Sequence, residues 1–308
     1  MPISTKFKRT PYTIAGDSFI SSAKDLSSQY TKGMMAVPTP NSLTEGAALY
    51  SFPGQKAWST GGALEADRRI YKQLFNSKGW KVSGTTLYSF DSAGAQTSEG
   101  SIPGSQLVSM ADNGTVLFII ANNIAYTHNK TSLSVLSLDF TPVQVDYLND
   151  QFIVLASDST VRISNVGTTV FDPLNSFTAN SASDLMVGVK VFNQFLFNLK
   201  GNTIEPWENT GSGNPPFERM NGAIIEEVGL ANKNAICGTS EALYFLGSNR
   251  IPYRIVNFQA QKLTDSNPGV AELFSGYSSS DAFVECFQIY GQDVILFYFP
   301  ADNKVWAI

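Results

Sequence analysis

The sequence predicts an all-β protein: a β-propeller of about six or seven blades preceded by an extended N-terminal arm. Three observations carry that expectation. Charged residues make up only 15% of the 308 residues, against roughly 25% in ordinary globular chains, and Ser, Thr, Asn and Gly fill the gap. Short runs of β-branched and aromatic residues flank Asn, Asp or Gly turns, residues that tolerate the positive φ of tight hairpins. Those turns recur at long and similar intervals.

Along the chain, residues 1–48 have few hydrophobics and no period, and read as an irregular arm. Residues 49–308 read as the propeller domain. At its entrance, "TEGAALYSF" (with Thr44 as a cap) and "GALEADRRIYKQLF" (Gly62 to Phe75) show partial helical periodicity. They read equally as short helices or as irregular lead-ins to the first blade. Six hairpins follow, turning at Gly84-Thr85, Asn122-Asn123, Asp158-Ser159, Gly201-Asn202, Ser248-Asn249 and Asp302-Asn303. The turn-to-turn intervals are 38, 36, 43, 47 and 54 residues. A quasi-period of this size fits four-stranded propeller blades. A β-sandwich turns about every 8–12 residues, and a β-helix has a shorter, parallel repeat. A WD dipeptide is absent, so spacing and hairpin shape carry the prediction.

A hydrophobic content of 43% supplies a sizeable core. The net charge of -5 is uneven: up to Lys81 there are eleven Lys and Arg against five Asp and Glu, a balance of +6, and beyond it ten against twenty-one, a balance of -11. A basic arm beside an acidic body suits docking onto an acidic partner, and Lys6, Lys8, Arg9, Lys24 and Lys32 are its candidate contacts. No secretory signal follows Lys6, Lys8 and Arg9, and no apolar run reaches the ~20 residues of a bilayer span, so membrane insertion is not expected. Without a secretory route the sequons at Asn113 and Asn129 carry no weight. Cys237 and Cys286, the only cysteines, form no CxxC pair and read as buried thiols in a reducing compartment.

Catalytic signals are weak. His128 is the only histidine, so any Ser-His-Asp or Cys-His scheme must use it, and it reads as a surface or strand-edge residue. There is no metal-ligand spacing, phosphate loop or calcium loop, and no catalytic residue, metal or cofactor is assigned. The carboxylates of "GNTIEPWENTGSGNPPFERMNGAIIEEVGLA" (Gly201 to Ala231) remain. Glu205 and Glu208 beside Trp207 resemble a glycosidase pair with a sugar platform. Glu226 and Glu227 are adjacent and on a strand would face opposite ways. The plainer reading makes the glutamates solvated or interface charges. The loop holding Pro215 and Pro216 then becomes a blade-to-blade connection or contact surface. Glu205, Trp207, Phe217, Arg219, Glu226 and Glu227 are candidate inter-subunit or loop contacts.

The same stretch resembles the packaged-DNA stabilization proteins of short-tailed phages, the tail hub or nozzle family. The shared pattern is an apolar strand, Gly-x-Thr-Ile-Glu, an aromatic, Thr-Gly, Pro-Phe-x-Arg, Gly-Ala and Gly-x-Ala. Here it falls on Gly201, Thr203 to Glu205, Trp207, Thr210-Gly211, Pro216-Phe217, Arg219, Gly222-Ala223, Gly229 and Ala231. Leu49–Gly54, Ser101–Ile120, Leu138–Val154 and Ser176–Phe197 agree as well. The resemblance implies a β-propeller and a homo-hexameric ring below the portal and its adaptor ring. It implies that the ring continues the DNA channel, helps retain the genome, passes double-stranded DNA without sequence-specific binding, and contacts the tail needle and the spike or fibre proteins. It places the protein in the virion, assembled in the host cytoplasm. Because family members commonly continue past a "VWAI"-like strand, a reduced or absent last blade and spike-docking region are expected. The alternative from another class is a propeller that binds or hydrolyses glycans.

Overall fold

The structure, a computed structural model, describes residues 34–38, 47–51, 67–72, 77–264, 268–289 and 292–308. Among them lie 25 strands and one α-helix, α1 (Pro268–Ser275). The described residues fall into two compact units, one within Met1–Lys56 and Thr264–Leu273, the other within Ala57–Leu263 and Phe274–Ile308.

In the first unit β1 (Met34–Pro38) and β2 (Ala47–Ser51) form an antiparallel pair. Part of the segment expected to be an irregular arm is therefore paired backbone, and within "TEGAALYSF" the described residues Ala47–Ser51 are a strand, while Thr44 lies outside the described residues. The five basic candidates Lys6, Lys8, Arg9, Lys24 and Lys32 lie outside the described residues.

The second unit is a six-bladed β-propeller. Blade 1 is β3 (Asp67–Lys72), β4 (Gly79–Ser83), β5 (Thr86–Phe90) and β6 (Gln96–Ser101). Blade 2 is β7 (Ser109–Asp112), β8 (Leu117–Ala121), β9 (Ile124–His128) and β10 (Leu133–Leu136). Blade 3 is β11 (Pro142–Leu148), β12 (Gln151–Ala156), β13 (Thr160–Ser164) and β14 (Phe171–Thr178). Blade 4 is β15 (Met186–Phe192), β16 (Phe195–Lys200), β17 (Ile204–Asn209) and β18 (Phe217–Arg219). Blade 5 is β19 (Ile236–Gly238), β20 (Leu243–Leu246), β21 (Pro252–Val256) and β22 (Gln259–Lys262). Blade 6 has three described strands, β23 (Phe283–Ile289), β24 (Gln292–Phe299) and β25 (Lys304–Ala307).

All six predicted turns join the second strand of a blade to its third. The periodicity is visible there because the second strand is covered by a blade on each side, so both its faces want apolar residues. In β8 and β12 every residue is buried. Side chains alternate between the two neighbours, as a period of 2 requires. Leu117, Ile119 and Ala121 of β8 pack on Trp80, Val82 and Leu87 of blade 1, while Phe118 and Ile120 pack on Phe152 and Val154 of blade 3. Ile153 and Leu155 of β12 then face Val189 and Leu196 of blade 4. Outermost strands such as β6 and β22 have no strand on one edge among the described residues and are polar and not buried.

"GALEADRRIYKQLF" is not a helix where it is described: Asp67–Lys72 is strand β3, paired antiparallel with β4. Its side chains explain the outcome. The buried Arg68 guanidinium donates to the carbonyls of Gln106 (2.6 Å), Gly84 (3.1 Å) and Ile102 (2.7 Å). The Tyr71 hydroxyl donates to Asp112 at 3.1 Å. These ties reach blade 2 and its connection, and long-range pairing overrides a weak local preference.

Candidate functional site

The stretch Gly201 to Ala231 builds most of a buried polar clamp in blade 4. Lys200 ends β16 and Glu205 follows a tight turn on β17; neither side chain is exposed (0% each). Glu205 Oε1 accepts from the Ser181 N–H (2.9 Å), the Ser181 hydroxyl (2.5 Å) and Lys200 Nζ (3.4 Å). Its Oε2 accepts from the Trp207 indole N–H at 3.4 Å and lies 4.0 Å from Arg219 Nη1. Lys200 Nζ also donates to the Ala182 carbonyl and lies 3.0 Å from Asp184. Asp184 accepts from the N–H groups of Asn202 (2.6 Å) and Thr203 (3.0 Å). Burial pushes the Asp184 carboxyl up, but hydrogen bonds from Lys200, Asn202 and Thr203 outweigh it and hold the group below its ordinary value. Loop 180–184 is thus fastened to the turn between β16 and β17 through one buried ammonium and two carboxylates.

The clamp answers the sugar-cleavage reading of these carboxylates. A glycosidase acid or nucleophile must reach the substrate, and both oxygens of Glu205 are spent on partners inside the chain. Glu205 also departs from the solvated-charge expectation: leaving water unpaired would cost a carboxylate several kcal/mol, so it is buried only because it is paired. Trp207 stacks on Phe177, ring centroids 3.9 Å apart and 14° from parallel, and is not an open platform. Phe217 is core, buried against blade 3. Arg219 is half-buried and donates to Asn221 (2.7 Å) and Asn180 (3.3 Å). Glu208 and Glu218 are exposed and directly opposite each other across β17 and β18. Glu226 and Glu227 are exposed. The loop with Pro215 and Pro216 joins β17 to β18 within blade 4, not one blade to the next.

The end of the shared pattern has a steric basis. Segment 228–231 runs from blade 4 to blade 5: Leu230 N–H donates to the Lys200 carbonyl at 2.9 Å and Ala231 N–H to the Leu246 carbonyl at 3.0 Å. A Cβ on Gly229 would lie 2.2 Å from the Lys200 carbonyl oxygen and 2.5 Å from the Asn202 nitrogen. Only glycine lets this backbone press on the turn that carries the clamp.

A second concave feature is the propeller axis. A cavity of about 470 Å³ is lined by the first strand of every blade, among others by Tyr71, Met110, Val145, Lys190, Cys237 and Cys286. Lys190 Nζ is 2.8 Å from Asp146, which also accepts the Val191 N–H at 2.9 Å. Gln144 bridges blades by accepting from the Val189 N–H (2.9 Å) and donating to the Lys233 carbonyl (3.2 Å). Burial lowers the Lys233 ammonium pKa.

His128 is buried (1% exposed), not a surface residue. The Lys130 N–H donates to its Nδ1 at 3.1 Å, so in the neutral ring Nε2 carries the proton and donates to Glu99 at 3.3 Å. Burial holds its pKa below the usual histidine value, against the pull of Glu99. Among the described residues no group of three or more His, Cys, Asp or Glu side chains is placed to hold a metal. No helix among them is long and apolar enough to cross a membrane.

Comparison with known proteins adds the following. The protein-family model described as "Bacteriophage P22 Gp10, beta-propeller" matches residues 10–308. No curated protein sequence matches. Among solved structures, the N-terminal domain of Nup159 is similar at 10% identity and a TM-score of 0.50, over 77% of this chain and 73% of that one. The extracellular domain of a one-component system from B. thetaiotaomicron is similar at 13% identity and a TM-score of 0.51, over 78% of this chain and 33% of that one. At such identities these two structures speak to the fold alone.

Proposed function

The chain belongs to the Bacteriophage P22 Gp10 beta-propeller family of phage stabilisation proteins, and we propose from that premise that it is the tail hub, or nozzle, of a short-tailed phage. In this reading six copies form a ring below the portal and adaptor. The ring continues the DNA exit channel, retains the packaged genome, and offers docking surfaces for the tail needle and for spikes or fibres. The observation that carries the reading is the family match over nearly the whole chain.

The size of the axial cavity supports a DNA path outside the single propeller. A cavity of about 470 Å³, with the Lys190–Asp146 pair in its wall, has no room for a duplex whose major groove alone is ~12 Å wide. In this reading DNA passes between copies of the chain, not along the axis of one propeller. A conduit must also release what it guides. Each phosphate neutralised adds affinity and salt dependence, so the balance of -11 beyond Lys81 favours sliding over capture. Assembly is in the host cytoplasm, and the basic arm docks on an acidic neighbouring ring.

Particles assembled without this chain test the reading: they are expected to fill with DNA and then lose it, and full retention would overturn it. The docking role of the arm is checked by reversing Lys6, Lys8 and Arg9 to Glu and measuring incorporation into tails. Incorporation should fall, and unchanged assembly would sink that role.

A further inference from the structure

The two cysteines are 49 residues apart in sequence, yet the fold brings them together on the propeller axis. Cys237 lies on β19, the innermost strand of blade 5, and Cys286 on β23, the innermost strand of blade 6. Both line the axial cavity. The strands run side by side there: Val284 N–H donates to the Asn234 carbonyl at 3.1 Å, and the Cys286 thiol sits 3.0 Å from the carbonyl oxygen of Gly238, the residue after Cys237. The two thiols lie near enough to shift each other's ionisation in opposite directions. Both are free, Cys237 buried and Cys286 half-buried, so a small solute in the cavity reaches Cys286 first.

We propose that Cys237 and Cys286 are a redox modification site, a dithiol that closes to a disulfide linking the inner strands of blades 5 and 6. The oxidant is a low-molecular-weight disulfide of the glutathione type. The Cys286 thiolate attacks one sulfur of the oxidant, forming a mixed disulfide and expelling one glutathione thiolate. Cys237 then loses its proton and attacks the Cys286 sulfur, forming the protein disulfide and expelling the second. Two protein thiols are oxidised, one glutathione disulfide is reduced to two glutathiones, and the two thiol protons end on the leaving groups. The order of attack follows the surroundings. The interaction with Cys237 favours the Cys286 thiolate and lowers that pKa, whereas the same interaction and burial push the Cys237 thiol up. The thiolate is the attacking species.

The bond would fasten the one blade with only three described strands to its neighbour, shrinking the unfolded ensemble by closing a long loop. Thiols stay reduced in cytosol and are oxidised outside it. A dithiol here would leave the propeller adjustable during assembly and lock it after release. That consequence rests on the virion reading above, whereas the bond itself does not.

The test exposes the folded, full-length protein to excess oxidised glutathione, alkylates it, and reads intact mass and disulfide-linked peptides. The expected result is loss of both alkylation sites, a mass lower by two hydrogen atoms, and a Cys237–Cys286 linked peptide. The oxidised chain should melt several degrees higher than the reduced one. Cys237→Ser should stop at the first step, gaining one glutathionyl group on Cys286. Cys286→Ser should leave Cys237 largely unmodified. Two alkylatable thiols remaining in the wild type, while a thioredoxin dithiol in the same tube is oxidised, would overturn the proposal. So would bonds formed only between chains.

Discussion

Blades 3 and 4 fill the same slot with different chemistry. The second strand of blade 3, β12, reads "QFIVLA"; its apolar side chains alternate between the cores shared with blades 2 and 4. The second strand of blade 4, β16, begins alike with "FLF" but ends on Lys200, as buried as any residue in β12. One strand buries apolar side chains and the neutral Gln151, which donates to the Ser164 carbonyl at 2.9 Å. The other adds a charge whose burial is tolerable only while its partners are present. The difference teaches that blade 4 depends on the turn that positions Glu205 and on the glycine that packs against it, as well as on its apolar strands.

The largest expected effects sharpen that contrast. Glu205→Ala removes one of the two carboxylates around the buried Lys200 ammonium, leaving Asp184 and the Ala182 carbonyl as its partners, and should cost about 3–5 kcal/mol of unfolding free energy by breaking a buried ion pair. Phe152→Ala in blade 3 should cost about as much, ~3–5 kcal/mol, through a cavity. The two differ in rescue. Adding Lys200→Met to Glu205→Ala removes the buried charge that has lost one carboxylate and should recover part of the loss in denaturant titrations. A double variant no more stable than Glu205→Ala alone would break the comparison. Gly229→Ala comes next, at about 1–3 kcal/mol from forced backbone movement. Ala tolerated there without loss would remove the steric account of the pattern's end.

Titration gives a smaller signal. The Asp184 carboxyl is held low by its hydrogen bonds, so the unfolded chain takes up that proton first as pH falls. The stabilisation is whole above the unfolded value of about 3.9 and is lost as pH drops through the lower folded value. Asp184→Asn should flatten the acid limb of a stability-against-pH curve. His128 acts at a higher window with the same sign. Burial depresses its folded pKa, so its contribution is complete above about pH 6.5 and declines below it. The smallest effect is a gain: Glu208→Lys converts an exposed like-charge pair with Glu218 into an attractive one, worth about 0.2–1 kcal/mol.

Much of the fold was legible because each blade exposes one strong signal, an apolar strand followed by an Asn, Asp or Gly turn. Other hairpins were equally readable and were missed. Asn149-Asp150 and Asn193-Gln194 carry positive φ at both positions, in dipeptides as suggestive as those recognised. Asn257-Phe258 was not readable, since Phe258 at φ 60° is a conformation that Phe rarely adopts. Innermost strands hide because they face a polar cavity and mix charges with apolar residues. Of the candidate site, the resemblance located the right segment but not its chemistry. Lys200 at the end of an apolar run reads as a strand leaving the core. Only the return of loop 180–184 shows that it stays inside. The burial of His128 and the meeting of Cys237 with Cys286 likewise depend on contacts between strands that local sequence does not encode.

The central claim is a ring whose DNA passage lies between copies. Negative-stain imaging of the purified full-length protein, with its mass measured by light scattering, tests it most directly. Six-fold rings with a central opening wide enough for a duplex are the predicted result. A protein that stays monomeric both alone and in the presence of its adaptor ring would contradict the account.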